Sequence, residues 1–224
     1  MGTESTVKTR RFRTLASGIS NSIDEELTRL DVLLAGRAND WWDSFYENRA
    51  KPCAFFSASP DESLANWIDE GLIGPGRAVE LGCGNGRNAI FLGRCGFALE
   101  GVDYSRTAIA WAKERAREAG VQVVFQPQFV FEMKLEPGAF DLVYDSGCFH
   151  HIAPHRRGSY VELVTNALKP GGWFGLACFR PEGGSGHTDQ EVYERRSMGA
   201  AWATQRNACA KSGQADYRFR SFAR

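Results

Sequence analysis

The chain has 224 residues, of which 43% are hydrophobic and 24% are charged, a composition typical of globular proteins. Lys and Arg together number 27, as do Asp and Glu, so the formal net charge at pH 7 is zero. This balance gives no electrostatic reason to expect binding to nucleic acid or to an anionic membrane surface. No segment approaches the ~18–20 consecutive apolar residues of a membrane span. We therefore expect a protein that binds neither nucleic acid nor membrane.

The six cysteines are scattered along the chain and include no C-x-x-C pair. This spacing favours reduced thiols in a cytoplasm over a disulfide framework or a zinc site. His150 and His151 are adjacent, and the side chains of adjacent residues diverge, so no metal site is predicted. The length leaves room for one α/β domain with an N-terminal extension, in a monomer or a homodimer.

The first 75 residues predict an arm followed by a helical cap. Residues 1–20 are polar and aperiodic, which predicts a flexible arm, and the cap is expected over residues 21–75. Pro60 is expected at the first helical position of the last cap helix. The three helix candidates are an apolar repeat over 23–34, an aromatic run over 41–46, and a segment that begins at 59–62 and ends at Gly71.

Residues 76–224 predict an α/β domain, because short apolar runs here alternate with helical patterns. Strands that alternate with helices form a parallel sheet with right-handed crossovers. The fold class is therefore a doubly wound, mostly parallel, Rossmann-like sheet with N-terminal helical cover. The strand candidates are residues 78–81, 98–102, 121–125, 140–144 and 173–179.

The loop after the first predicted strand contains three glycines at alternate positions, Gly82, Gly84 and Gly86. Glycine permits a sharp turn and a close approach to a ligand where a Cβ would collide. The G-x-G-x-G spacing differs from the G-x-G-x-x-G dinucleotide fingerprint. Glu80 precedes the loop and suits a cationic amino group, such as that of S-adenosylmethionine, whereas it would repel a pyrophosphate.

Asp103 ends the second predicted strand, 21 positions after Gly82. A carboxylate at this point is placed to accept hydrogen bonds from both hydroxyls of a ribose. Ser105 is the more natural N-cap of the helix that follows. Asp103 is therefore predicted to bind the cofactor's ribose.

The fourth predicted strand leads into a segment with a carboxylate and two histidines, at the carboxyl edge where a methyl acceptor would stand. Asp145 is placed to orient cofactor or acceptor. Either His150 or His151 is placed to take a proton from the acceptor; the alternative is that one histidine packs under the loop while the other meets water. The candidate catalytic residues are Asp145, His150 and His151.

Taken together, the segments 80–87, 103–105, 140–144 and 168–172 resemble the motif series of class I S-adenosylmethionine-dependent methyltransferases. The resemblance extends over roughly residues 40–190. Within that superfamily the chain is most similar to the thiopurine, thiol and tellurite-resistance group. That narrower likeness rests on the segment from Asp145 and Gly147 through Ile152 and Pro154 to Arg157 and Tyr160, and on the aromatic segment 42–56.

The resemblance implies that the N-terminal helices cover the cofactor and that aromatic residues line the acceptor side. The cofactor contacts predicted from the motifs and the resemblance are Glu80, Gly82, Cys83, Gly84, Asn85, Gly86, Asp103, Tyr104, Ser105, Gln128, Phe129 and Asp145. The predicted acceptor contacts are Trp42, Tyr46, Phe56, Phe149 and Arg157.

The chain departs from the family pattern at three points. Paired histidines replace the small or apolar residues usual after Gly147. Gln128, followed by Phe129, stands where an acidic residue often binds the adenine amino group. The tail from residue 200 is polar, and only 217–222 has the pattern of a further strand. The sheet is therefore expected to be short by one or two strands.

The predicted function is methyl transfer from S-adenosylmethionine to a small-molecule acceptor, which can be a thiol, a metalloid oxyanion, a hydroxyl or an amine. The donor sulfur is already positively charged, so the protein mainly has to align the reactants and exclude water. A noncatalytic protein that binds the cofactor is the main alternative. A nicotinamide-dependent oxidoreductase would share the sheet and Asp103 but should show the G-x-G-x-x-G spacing.

Overall fold

The computed structural model of the chain describes residues 25–31, 38–179 and 188–194. The arm predicted at 1–20 and the candidate strand at 217–222 lie outside these residues. Within the described part, no helix is long and apolar enough to cross a membrane. No group of three or more His, Cys, Asp or Glu side chains in that part is placed to hold a metal ion.

A six-stranded sheet with the order β3-β2-β1-β4-β5-β6 forms the centre of the fold. The first five strands pair in parallel, whereas β6 is antiparallel to β5. This arrangement confirms the predicted doubly wound, mostly parallel sheet. The strands are β1 (Arg77–Leu81), β2 (Ala98–Asp103), β3 (Val124–Pro127), β4 (Phe140–Ser146), β5 (Leu168–Phe179) and β6 (Thr188–Glu194).

Helices cover both faces of this sheet. Residues 25–31 are helical and are called α1. The others are α2 (Ala38–Glu47), α3 (Glu62–Asp69), α4 (Arg87–Arg94), α5 (Arg106–Glu118) and α6 (Arg157–Ala167).

Successive side chains of the central strands enter two separate cores. On β1, Ala78 belongs to the core beneath α4 and α5, whereas Val79 belongs to the core beneath α6. Leu142 and Val143 divide in the same way on β4. Both faces are buried, which explains why these strands are continuous apolar runs without polar alternation.

The strand order reverses between β1 and β4, and this point locates the functional site. The connections from β1 lead through α4 and α5 towards β3, while those from β4 lead through α6 towards β5. In open parallel sheets a ligand binds at the carboxyl ends of the strands beside such a switch point. The loops after β1, β2 and β4 therefore face the expected site.

Four elements differ from the sequence prediction, and one of them is β5, which begins at Leu168 and not at 173. The helix α3 begins at Glu62 with Asp61 as its N-cap residue, so Pro60 lies outside the helix and not at its first position. Strand β3 begins at Val124, three residues later than predicted, because Val121 still closes the end of α5 through its N–H to Ala116 O, at 2.9 Å.

The strand β6 was missed by the prediction, and it supplies one antiparallel strand after β5. Its sequence is mostly polar and carries three acidic residues, which gives little strand signal. Charged residues are common on edge strands, where they oppose pairing with other chains. Its register against β5, from Trp173 opposite Glu194 to Phe179 opposite Thr188, shows regular antiparallel pairing.

Candidate functional site

The glycine loop after β1 adopts backbone conformations that favour glycine at all three alternate positions. The φ angles of Gly82, Gly84 and Gly86 are +69°, +52° and +78°. A Cβ added to Gly82 would lie 2.6 Å from Cys148 Cβ, and one added to Gly84 would lie 2.6 Å from the hydroxyl oxygen of Tyr46. The loop therefore packs against both the cap and the segment after β4.

Asp103 connects the glycine loop to the start of α5. One oxygen of its carboxylate accepts the N–H of Gly84 at 2.8 Å, and the other accepts the N–H of Ser105 at 2.8 Å. Burial raises the pKa of Asp103 to about 6, although these hydrogen bonds oppose the shift. Each carboxylate oxygen can accept a further hydrogen bond, which is what two ribose hydroxyls require. Ser105 caps α5 as predicted, since its hydroxyl accepts the N–H of Ala108 at 3.0 Å.

Two aromatic rings lie next to Asp103. The ring of Tyr104 is 38% exposed, and its centroid is 5.3 Å from that of Phe129. The backbone N–H of Gln128 donates to the backbone oxygen of Asp103 at 2.9 Å. Gln128 and its neighbour Phe129 therefore lie beside the end of β2. The side-chain NH₂ of Gln128 donates to Glu132 O at 3.0 Å. A hydrogen bond between Gln128 and an adenine therefore stays a prediction. The rings of Tyr104 and Phe129 offer an apolar surface for a flat base.

Glu80 lies at the end of β1 and is only 1% exposed. Its Oε1 accepts the side-chain NH₂ of Asn88 at 3.1 Å, while Oε2 is buried and has no hydrogen-bond partner among the described residues. Burial, and then the negative charge of Asp61, raise its pKa to about 8 against the effect of Arg87. A buried oxygen without a partner is costly, and a cationic ligand group is one way to satisfy it.

Cys83 and Asn85, which were predicted to contact the cofactor, direct their side chains into the protein. Cys83 is 4% exposed, and its sulfur lies beside Gly101. The side-chain NH₂ of Asn85 donates to Phe55 O at 3.2 Å. These two side chains hold the loop in place, so only their backbone can face a ligand.

Helix α2 lies over the glycine loop and forms an aromatic cover. Tyr46 is 5% exposed, and its ring is stacked with that of Phe56 at 5.4 Å. Trp42 contacts Tyr46 at 6.2 Å and, on its other side, His151 at 4.9 Å between ring centroids. Phe56 continues to Trp111 on α5 at 5.0 Å. The predicted acceptor residues of the cap therefore form one cluster between the glycine loop and the loop after β4.

Asp43 fastens this cover to the domain, and sequence reasoning missed it. One carboxylate oxygen of Asp43 accepts the hydroxyl of Ser105 at 2.6 Å and the N–H of Thr107 at 3.0 Å. Burial opposes ionisation, yet these hydrogen bonds lower the pKa of Asp43 overall. A carboxylate at the N-terminus of a helix is also favoured by the helix dipole. An acidic residue amid aromatic residues on α2 was the available signal.

Asp145 is fully buried at the end of β4 and binds its own loop. Its carboxylate accepts the N–H of Cys148 at 2.7 Å, the N–H of Phe149 at 3.0 Å and the hydroxyl of Tyr160 on α6. Burial raises its pKa to about 7, against the effect of these hydrogen bonds. The geometry supports a role for Asp145 in shaping the loop rather than in touching an acceptor.

The two candidate histidines follow this loop. Their ring centroids are 4.2 Å apart, and His151 is the more exposed of the two. Burial, together with the neighbouring His151, lowers the pKa of His150 to about 4. Partial burial also lowers the pKa of His151. Both imidazoles are therefore neutral at pH 7 and can accept a proton, and His151 lies against Trp42 of the cover.

Phe149 and Arg157 contact each other and other residues of the loop after β4 and of α6. Arg157 donates through Nε to Ile152 O at 3.2 Å, and its guanidinium lies 5.4 Å from the centroid of the Phe149 ring. Phe149 packs on Tyr160 at 5.5 Å. These contacts support the loop from α6, and the predicted contact of both residues with an acceptor stays a prediction.

Comparisons with known proteins agree with this geometry. Residues 78–172 match the protein family described as a methyltransferase domain. A ubiquinone biosynthesis O-methyltransferase from Burkholderia thailandensis is 29% identical over 159 residues, covering 69% of this chain and 62% of the relative. A 2-heptyl-1-hydroxyquinolin-4(1H)-one methyltransferase from Mycobacteroides abscessus is 28% identical over 149 residues, covering 64% of this chain and 65% of the relative.

A solved structure gives the same fold. A protein studied for the conversion of a disulfide bond into a thioacetal group during echinomycin biosynthesis aligns with a TM-score of 0.59 and 26% identity, covering 66% of this chain and 62% of that chain. The chain thus spans somewhat less than two thirds of the length of each of these three proteins.

Residues 78–172 are similar to a methyltransferase domain, and the order of the Rossmann-like sheet and the glycine loop agree with that match. The cofactor of this class of enzyme is S-adenosylmethionine. Over its wider length the chain is similar to methyltransferases that act on small molecules. The narrower resemblance to the thiopurine, thiol and tellurite-resistance group stays a prediction.

Proposed function

We propose that the protein transfers a methyl group from S-adenosylmethionine to a hydroxyl group on a flat aromatic small molecule. The observation that carries the cofactor part is the Asp103 carboxylate, which holds the N–H of Gly84 and the N–H of Ser105 at the switch point of the sheet. This carboxylate, which can accept hydrogen bonds from ribose hydroxyls, lies next to the glycine loop and to the rings of Tyr104 and Phe129.

The residues present fit the parts of this cofactor. Asp103 suits the ribose, the rings of Tyr104 and Phe129 suit the adenine, and the unpartnered Oε2 of Glu80 suits the cationic amino group. When bound, S-adenosylmethionine supplies a methyl group on a positively charged sulfur that is ready for displacement. The protein then has to align the acceptor and exclude water.

The acceptor side favours a flat apolar molecule. Trp42, Tyr46 and His151 form a continuous ring surface at the boundary between the cap and the loop after β4. Aromatic surfaces of this kind bind planar ligands through stacked and edge contacts. The two relatives named above are described as an O-methyltransferase and as a hydroxyquinolone methyltransferase, and both names fit such an acceptor.

A hydroxyl acceptor must lose its proton, and a neutral imidazole can receive it. The lowered pKa values keep His150 and His151 neutral at pH 7. Because His151 contacts Trp42, it is the better placed of the two to meet an acceptor held by the aromatic surface. Asp145 holds the backbone of this loop in position and is not required to touch the acceptor.

Two measurements, made one after the other, test the proposal. Isothermal titration should detect binding of S-adenosylmethionine and of its demethylated product, with no binding of a nicotinamide dinucleotide. A radiolabelled-methyl assay should then show transfer to aromatic hydroxyls in preference to thiols, amines, selenite and tellurite.

The possible outcomes separate the candidate functions. Absence of cofactor binding to folded protein contradicts the proposed function, and binding without transfer to any acceptor favours a noncatalytic protein. Transfer to thiols or tellurite alone contradicts the proposed acceptor and supports the thiopurine, thiol and tellurite-resistance group.

A further inference from the structure

Asp61 lies at the start of α3, yet its carboxylate does not cap that helix. The residue is 8% exposed, and its side chain turns inward towards the sheet. A buried carboxylate is costly unless several donors satisfy it. Here three donors do so, and they come from two different elements.

The first two donors are the opening residues of α4, directly after the glycine loop. The guanidinium of Arg87 donates to Oδ1 of Asp61, and the side-chain NH₂ of Asn88 donates to Oδ2 at 3.1 Å. Asn88 also accepts the N–H of Asp61 through its own carbonyl oxygen, at 2.8 Å. Both ends of the Asn88 amide are therefore oriented by Asp61.

That orientation determines the surroundings of Glu80. The NH₂ group of Asn88 has two hydrogens, and it donates to both Asp61 Oδ2 and Glu80 Oε1, each at 3.1 Å. One oxygen of Glu80 is thus held by Asn88, and the other is buried without a hydrogen-bond partner among the described residues. The chain of contacts runs from the cap, through α4, to the carboxyl end of β1.

The third donor is Tyr144 on β4, whose hydroxyl reaches Asp61 Oδ2 at 2.7 Å. Tyr144 lies opposite Glu80 in the parallel register of β4 and β1. Its ring fits only because β5 has Gly175 at the adjacent position, where a Cβ would lie 2.6 Å from the ring. The network therefore includes the strands on which the site is built.

We propose that Asp61 is a positioning residue for cofactor binding, which holds Arg87 and Asn88 at the start of α4 and through Asn88 orients the buried Glu80 carboxyl. This inference rests on the proposed function, because it takes Glu80 to receive the amino group of S-adenosylmethionine. Asp61 lies outside residues 78–172, the part that matches the methyltransferase domain. It acts through Asn88 and Arg87 and does not itself touch the ligand.

A pH profile separates this role from general support of the fold. The charged groups that face Glu80 are Arg87, which lowers the pKa of its carboxyl, and Asp61, which raises it. Tyr46, Cys83 and Tyr144 also lie near Glu80, and burial raises their pKa values above the ordinary ones, so all three are neutral at pH 7.

An ionised Glu80 favours a cationic ligand, so cofactor affinity should rise with pH through the pKa of this carboxyl. Asp61→Asn keeps the shape of the side chain but removes a negative charge near Glu80. If Asp61 holds Asn88 and Arg87, both of which lower the Glu80 pKa more strongly than Asp61 raises it, their release outweighs the lost charge. The Glu80 pKa then rises, and the rise in affinity should move to higher pH.

The experiment is isothermal titration of S-adenosylmethionine from about pH 6 to pH 9, with the wild type and three variants. Asp61→Asn is expected to weaken binding by about tenfold near pH 8, or about 1.4 kcal/mol, and to move the midpoint of the pH profile to higher pH. Tyr144→Phe removes one donor to Asp61 and no charge. It should weaken binding without moving the midpoint.

Asp141→Asn is the matched control. Asp141 lies at the opposite end of β4 and accepts from Arg77 N and Lys169 Nζ, both at 2.8 Å. Asp141→Asn should leave the affinity for S-adenosylmethionine and the midpoint of its pH profile unchanged. If folded Asp61→Asn keeps the wild-type midpoint or moves it to lower pH, as loss of the charge alone would, the positioning role is wrong. It is also wrong if Asp61→Asn and Asp141→Asn weaken binding equally. If Asp61→Asn does not fold, an unchanged affinity in Tyr144→Phe overturns the inference. If the wild type itself does not bind, the proposed function fails instead.

Discussion

The hydroxyl oxygen of Tyr46 lies 2.6 Å from the point that a Cβ on Gly84 would occupy. Tyr46 belongs to the cap and Gly84 to the glycine loop, so cap and loop are in direct contact. The middle glycine of the motif thus serves the packing of the cap, in addition to its predicted role in the approach of a cofactor.

Gly84→Ala should strongly weaken cofactor binding, with a moderate loss of stability. A residue with a Cβ at a φ of +52° is strained by about 1–2 kcal/mol, and the new methyl group also displaces Tyr46. We expect affinity for S-adenosylmethionine to fall at least ~100-fold, equivalent to about 2.7 kcal/mol, measured by isothermal titration alongside thermal unfolding.

Gly120→Ala is the control for backbone strain alone. Gly120 has a φ of +67° at the end of α5, and a Cβ there would meet nothing within 4 Å. It should lower stability by a similar ~1–2 kcal/mol and leave affinity unchanged. Equal losses of affinity in the two variants would contradict a specific role for Gly84.

Tyr46→Phe should partly rescue Gly84→Ala. Removing the hydroxyl removes the nearest atom, and the next ring atom lies 3.5 Å from the added Cβ, an ordinary contact distance. The double variant should therefore bind the cofactor better than Gly84→Ala alone, although the strain at φ remains. If the double variant binds no better, the loss in Gly84→Ala arises from the backbone or from the ligand and not from the cap.

Asp43→Asn tests the attachment of the cap to α5. Loss of the carboxylate that binds Ser105 and Thr107 at the helix N-terminus should lower the free energy of unfolding by about 1–2 kcal/mol. Because the pKa of Asp43 is lowered in the folded protein, its contribution is present above the unfolded value of 3.8 and is lost as pH falls through the folded pKa. Urea unfolding at neutral and acid pH measures both effects.

Glu114→Gln is the comparison for this variant, since the Arg49–Glu114 pair joins the same part of the cap to α5 at 2.7 Å. Both side chains of that pair are over 40% exposed, so we expect a change of at most ~1 kcal/mol. A larger effect of Glu114→Gln than of Asp43→Asn would show that the surface ion pair, and not the helix cap, holds α2.

The sequence was sufficient to predict those parts of the fold and site that depend on local pattern. Glycine spacing and a carboxylate after the second strand located Gly84 and Asp103 at the switch point, where they share a hydrogen bond. The alternation of strands and helices likewise predicted the parallel sheet. These features follow from the backbone and from neighbouring residues, so they can be read without a structure.

Contacts between distant segments could not be predicted in this way. Asp61 has the pattern of a helix cap, yet its carboxylate binds Tyr144, 83 positions away. The catalytic role of Asp145 stays a prediction, and nothing in the sequence indicates that its carboxylate accepts hydrogen bonds from Cys148 and Tyr160. A polar strand such as β6 is determined by its pairing partner and not by its own residues.

His151→Gln should reduce the turnover of an aromatic hydroxyl acceptor more than His150→Gln does. General base catalysis typically contributes about 10²–10⁴-fold, and His151 is the histidine that contacts Trp42. Since partial burial lowers the pKa of His151 below its ordinary 6.5, we expect wild-type kcat to fall less between pH 8 and pH 6 than it would with an exposed imidazole as the base. Steady-state kinetics at both pH values, with cofactor affinity as a control, measure this. An unchanged kcat in His151→Gln would remove the histidine from the proton transfer.

Glu80→Gln should make stability less dependent on pH in the neutral range. Burial raises the pKa of this carboxyl from 4.5 to about 8 in the folded protein. Between these values the folded state keeps a proton that the unfolded chain has released, so the free energy of unfolding falls as pH rises. The glutamine variant lacks this titration, and it should be more stable than the wild type near pH 8.

Urea unfolding at about pH 5, 6.5 and 8 gives the slope for each variant. Some slope of the same sign should remain in Glu80→Gln, because burial also raises the pKa values of Asp103 and Asp145, to about 6 and 7. Asp141→Asn is the control, since hydrogen bonds from Lys169 and Arg77 overcome burial and lower the pKa of Asp141, and its titration therefore ends below this range. If Glu80→Gln keeps the wild-type slope, the buried carboxyl is already ionised at neutral pH. The pH profile of cofactor binding must then arise from a group other than Glu80.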